Sequence, residues 1–131
     1  MFYFLKKRLK KAYKKLDPDT QKRAFPSGEN EYLFVGACIP IFWGKKKNVL
    51  KMTEIYIAAY LFYMTEEGTI TKTHRYILDF ANGYLNNEDA TTLLALAFLT
   101  MEANEKTTIS DPAATHKYYK ELIRSRVGER V

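Results

Sequence analysis

A single cysteine, Cys38, in 131 residues excludes an internal disulfide framework. Histidine is almost as scarce. His74 and His116 stand alone in helical patterns with no partner at metal-ligand spacing, so the expected state of each is a packed or surface side chain, with no metal and no cofactor. The longest apolar runs, residues 32–43 and 55–64, are too short to cross a bilayer as helices, and the first contains Gly36 and Pro40. Residues 1–16 hold no acid and no serine. Their apolar residues precede the lysines, and no small-residue cleavage site follows, which fits neither a secretory signal nor a transit peptide. Ser110, Asp111 and His116 contain the letters of a catalytic triad, but their spacing is that of a helix start. No paired acid and base or activated nucleophile appears elsewhere, so the expectation is not an enzyme. One glutamine and three serines, against many Lys, Glu, Tyr and Ile, match the composition of proteins that work hot.

What is present is globular: 47% hydrophobic, 15% aromatic and 27% charged residues, enough for one domain or a small domain with an appendage. The net charge of +6 is unevenly spread. Residues 1–47 carry 12 Lys/Arg against Asp17, Asp19, Glu29 and Glu31, a net +8, and residues 48–131 carry 9 basic against 11 acidic groups, a net −2. Basicity confined to one part of a chain points to a polyanion or an anionic membrane surface bound by that part.

On a helical wheel, Phe2, Leu5, Leu9, Ala12, Tyr13 and Leu16 share one stripe, and Lys6, Lys7, Arg8, Lys10, Lys11, Lys14 and Lys15 fill the rest. Like charges at four-residue spacing leave such a helix marginal until an anionic or apolar partner meets it. Asp17-Pro18 ends it, and Phe25-Pro26-Ser27-Gly28 marks a second turn, with Lys22 and Arg23 between. Residues 29–47 read as a bent helix or as extended chain, closing on Trp43-Gly44 and Lys45, Lys46 and Lys47.

From residue 48 the expected fold is an up-and-down four-helix bundle, the whole chain being all-α with an N-terminal basic helical arm at 1–47. Asn48 caps the first helix, which runs to about Met64. The second starts near Thr71, with His74, Ile77, Leu78 and Ala81 in register. The third is capped at Asn87 and shows an apolar stripe of Leu93, Leu94, Ala97, Phe98 and Met101. The fourth opens at Asp111-Pro112, turns Tyr119, Leu122 and Ile123 inward, and places Arg124, Arg126 and Arg130 near its end. Residues 55–64 are apolar around the whole helix circumference, so residues 32–43 folded back, or another subunit, must cover the far side. Residues 65–70 fail as a calcium loop, because Gly68 at the sixth position puts Tyr63 first and His74 last, where carboxylates are needed.

Cations interleaved with Phe2, Tyr3, Phe4 and Tyr13 suit a phosphate polymer, bound with little regard to base sequence. Two other readings apply to the same segment: a solvated basic helix, and a helix lying in the surface of an anionic membrane.

In layout, length and charge split, this chain resembles the major coat proteins of filamentous archaeal viruses, the rudivirus, lipothrixvirus and tristromavirus group. The resemblance implies a virion subunit whose arm wraps double-stranded DNA held in A form, while the helical bundles form an outer shell with themselves or a related coat protein, with membrane contact where the particle is enveloped. It gives the phosphate-contacting part to Lys6, Lys7, Arg8, Lys10, Lys11, Lys14, Lys15, Lys22, Arg23, Lys45, Lys46 and Lys47. Subunit contacts are then expected from Tyr32, Phe34, Ile41, Phe42 and Trp43 and from Tyr56, Tyr60 and Tyr63. The alternatives are a small viral or plasmid regulator acting by protein contact or discrete DNA binding, and a peripheral membrane protein anchored by residues 1–16.

Overall fold

The computed structural model describes residues 2–65, 68–106 and 109–128; the side chain of Phe2 and all of Arg130 lie outside the described residues. Among these, the chain is all helical: α1 (Phe2–Lys15), α2 (Pro18–Ala24), α3 (Glu29–Trp43), a 3-10 turn (Gly44–Lys46), α4 (Val49–Tyr63), α5 (Ile70–Ala81), α6 (Asn87–Glu105) and α7 (Pro112–Val127). Two compact units result, Met1–Glu54 and Ile55–Val131, and the division falls inside α4, later than the expected 47/48 turn.

In the first unit α1 packs against α3. Leu9, at the centre of the apolar stripe of α1, is buried, and its methyl groups lie where a Cβ on Gly36 would sit, 2.5 and 2.8 Å away. Glycine at this position is what lets the two helices approach so closely. Asp17 caps α2 by accepting from the Thr20 backbone N–H at 3.0 Å and its hydroxyl at 2.7 Å, and these bonds hold its carboxyl below the usual range. The Gln21 amide donates back to the Tyr13 carbonyl at 2.9 Å, so α2 folds onto the end of α1. The rings of Tyr13, Phe25 and Tyr32 close the unit, with centroids 5.0 to 6.3 Å apart.

Residues 29–43 resolve as helix, and the alternative of extended chain is corrected. Gly28 and Gly44, both at positive φ, bound the helix, and Glu29 and Glu31 stand in its first turn, where the dipole favours acids. Pro40 is accommodated within it.

In the second unit α6 is the central element. Every residue of 90–100 is buried, so the expected single stripe is corrected to a helix covered on all sides. The alanines at 90, 95 and 97 permit close approach. The threonines satisfy their hydroxyls on the carbonyls of α6 itself: Thr91 to Asn87, Thr92 to Glu88, and Thr100 to Leu96 and Ala97. α7 and α5 pack closely on α6 and on each other. α4 reaches them through long side chains: Tyr56 to the Thr100 hydroxyl, Phe62 to Tyr76, and Tyr63 to Phe98.

The helix signals largely hold. Asn48 accepts from the Lys51 N–H, Asp111 from the Ala114 N–H, and Thr69 from the Lys72 N–H. The cap of α6 is Asn86 and not Asn87, because only Asn86 has a carboxylate three residues on: Asp89 and Asn86 exchange side chain to backbone bonds at 2.8 and 3.2 Å. Arg124 does not simply face the dipole; it binds Glu88, which Lys120 also meets at 3.3 Å, and these cations lower the Glu88 pKa.

Thr73 is fully buried in α5, and its hydroxyl has no partner among the described residues. Thr73→Val keeps the branched shape and removes the unsatisfied group. Urea denaturation is expected to show a gain of about 1 kcal/mol. A comparable loss would mean that the hydroxyl is bonded.

Candidate nucleic-acid interface

Leu9 anchors α1 with its apolar side inward, and the opposite side is consequently determined. Lys6, Lys7, Arg8, Lys10, Lys11, Lys14 and Lys15 are all exposed, spread over an arc of about 200° at about 100° per residue. None of the seven makes an ion pair with a described residue. Tyr3 and Phe4 stand within this arc, 70% and 69% exposed, edge to face at 5.7 Å. The apolar partner that α1 needs is α3 of the same unit, and what remains free is the cationic face.

The other predicted cations lie in the same unit. Lys22 and Arg23 are exposed on α2, where Arg23 meets Asp19 at 3.6 Å in an exposed pair that contributes little. Lys45 and Lys46 are exposed in the 3-10 turn, and Lys47 is half-buried just after it. All twelve cations thus belong to Met1–Glu54. Of the two tyrosines on α1, Tyr3 is exposed beside Phe4, whereas Tyr13 is half-buried against Phe25 and Tyr32.

A helix of 14 residues is about 21 Å long at about 1.5 Å per residue. Over that length a duplex carries about 12 phosphate charges, one per about 1.7 Å. Seven unpaired cations match the phosphates on the near side of such a polymer. Their mutual repulsion would be relieved by the negative charge of any polyanion laid against this face.

The expected subunit contacts divide. Tyr32, Trp43, Tyr56 and Tyr60 are buried in the chain itself and cannot be presented to a second subunit, a correction whose cause is the folding of residues 29–43 into a helix and the aromatic packing around α4. Phe42 and Tyr63 are half-buried. Phe34 and Ile41, 41% and 76% exposed, remain as apolar groups on the outside of α3.

His74 and His116 are buried, as the packed reading expected. The His74 Nε2–H donates to the Asn87 carbonyl at 3.1 Å and the His116 Nε2–H to the Thr92 carbonyl at 3.1 Å, so the two rings tie α5 and α7 to the first turns of α6. Burial lowers the pKa of both, against the raising effect of those carbonyls. Cys38 is buried and its thiol is pushed up to about 11 by that burial, which removes nucleophilic character at neutral pH. Among the described residues no three His, Cys, Asp or Glu side chains gather as a metal-holding group, and no helix is long and apolar enough to cross a membrane.

A groove absent from the sequence expectations runs along α5, lined by Phe62, Lys72, Arg75, Tyr76 and Phe80. Its signal was the four-residue spacing of Lys72, Tyr76 and Phe80, which sets them on one helix face. No protein-family profile, curated protein or solved structure matches this chain.

Proposed function

We propose that this protein packages double-stranded DNA, gripping it without base preference through the cationic face of α1, and that copies of it assemble along the polymer. The observation that carries this reading is the set of seven exposed, unpaired cations on one helix whose other side is anchored by Leu9. Lys22, Arg23, Lys45, Lys46 and Lys47 extend the positive unit. In the layout this reading adopts, residues 1–47 are a basic helical DNA-binding part, residues 48–131 a four-helix bundle, and the whole a coat subunit of the filamentous archaeal virus kind, working in the virion. Phe34 and Ile41 are the side chains through which neighbouring copies, or a sister coat protein, meet. Many weak contacts along one duplex then act together through avidity.

An in-plane membrane anchor is less well supported. It requires the apolar stripe of α1 to enter the lipid, and Leu9 at the middle of that stripe is buried.

The test is fluorescence anisotropy with mixed-sequence duplexes across a salt series, followed by electron microscopy of the complexes. If six to eight phosphates are neutralised per subunit, the log–log salt slope is about −5 to −7. Absence of binding at low salt, or binding indifferent to salt, would dispose of the proposal. Flotation with anionic vesicles that survives nuclease treatment would transfer it to a membrane.

A further inference from the structure

The rings along α5 lie apart from the buried core. Phe62 and Tyr76 stack in parallel, with centroids 4.2 Å apart and planes 6° from parallel. Phe80, one turn beyond Tyr76, continues the row at 5.9 Å and 32°. Rings serving only the interior would be covered, yet Phe62 and Tyr76 are half-buried and Phe80 is 43% exposed. They line a surface groove of about 790 Å³ that also contains Lys72, Arg75 and Asp79. All three charged side chains are exposed, and none pairs with a described residue, although Arg75 and Asp79 are four residues apart on one helix.

Each component makes a separate chemical demand. The exposed Phe80 ring suits a planar π system, because stacking on an aromatic side chain tolerates any base. Two uncommitted cations on the same helix, Lys72 and Arg75, take a phosphate. A carboxylate about 10 Å along the helix from Lys72 accepts an N–H or O–H. A nucleotide satisfies all three, whereas an inorganic phosphate leaves the rings bare and a neutral aromatic leaves the cations bare. The groove lies at the surface and, at about 790 Å³, has more room than one mononucleotide needs, which suits a short stretch of chain.

We propose that this groove binds a short stretch of single-stranded nucleic acid, a base stacked on the exposed Phe80 ring and its phosphates held by Lys72 and Arg75. The inference does not rest on duplex binding by α1, and each stands or falls alone.

The full chain is titrated into a fluorescein-labelled oligothymidine of about ten residues, within the site sizes of single-strand binders. Because the Phe80 ring is partly exposed, Phe80→Ala should leave the thermal melt unchanged while weakening oligothymidine binding at least about fivefold. Duplex affinity should not move. Lys72→Glu with Arg75→Glu should weaken the single strand at least as much. The Phe80 effect should persist when α1 has lost its central lysines. Unchanged oligothymidine affinity in Phe80→Ala, equal losses on duplex and single strand, or no binding by the wild-type chain would each overturn the proposal. So would displacement of the oligomer by thymidine monophosphate at equal nucleotide concentration, since the groove would then be a site for a free nucleotide. Loss of duplex binding with the Phe80 effect intact would remove the packaging reading and leave this one standing.

Discussion

Replacing Lys7, Lys11 and Lys14 with glutamine should lower duplex affinity by about 10²–10³-fold at 0.1 M salt and reduce the magnitude of the salt slope by about 2.7, because each proposed phosphate contact would contribute about 0.9 to that slope. These three side chains occupy the middle of the cationic arc and are exposed. The apolar side of α1, with Leu9 buried, is untouched by the change. The variant should therefore fold at least as well as the parent, since three like charges leave a crowded helix face. Thermal melts check the fold, and anisotropy at several salt concentrations checks the binding. An unaltered slope would mean that the phosphates are met elsewhere in the chain. Glutamine substitutions at Lys117 and Arg126, both exposed on α7, provide the control, and their effect on the slope should be small.

Acid weakens the fold through its two histidines. In the unfolded chain each imidazole titrates near 6.5, and in the folded chain burial holds both below that value. Below about pH 6.5 the unfolded state therefore binds more protons, so stability is complete above that pH and falls as the pH drops toward the folded pKa values. The limiting slope is about 1.4 kcal/mol per pH unit for each ring, or about 2.7 for both. Both rings hold neighbouring helices to the start of α6, through the Asn87 and Thr92 carbonyls, so the loss falls on the packing of α5 and α7 against that helix. Lys120 adds to the cost of charging His116. Glu88, lowered by Arg124 and Lys120, weakens the fold in the same direction but only below about pH 4.3, the ordinary value for glutamate. Urea denaturation at pH 7, 6 and 5 measures the effect. His74→Gln and His116→Gln, which retain an N–H donor, should each remove about half of the slope. Stability that stays flat from pH 7 to 5 in the parent would contradict the account.

Much of the helical layout was legible in the residues because its causes are local. Asp17-Pro18, Gly28, Asn48 and Asp111-Pro112 each act within one turn of chain, and each marks a helix boundary in the structure. The cap at Asn86 was misplaced by one residue, since two adjacent asparagines differ only in whether a carboxylate stands three positions on. The amphipathic stripe of α1 was likewise readable, and so was the concentration of cations on its other side.

What covers an apolar surface depends on contacts between residues distant in sequence, and no periodicity reports those. Residues 55–64 of α4 read as apolar all round, α3 as an apolar run, and α6 as carrying one apolar stripe. Only packing made α6 the enclosed centre, left Phe34 and Ile41 of α3 exposed, and placed Tyr56 and Tyr60 inside. The sequence by itself determined an all-helical chain with its positive charge gathered at one end. The tertiary structure decided that α1 is docked through Leu9 against α3, the Leu9 methyl groups occupying the space that the absent side chain at Gly36 leaves, so that a Cβ there would force Leu9 to shift.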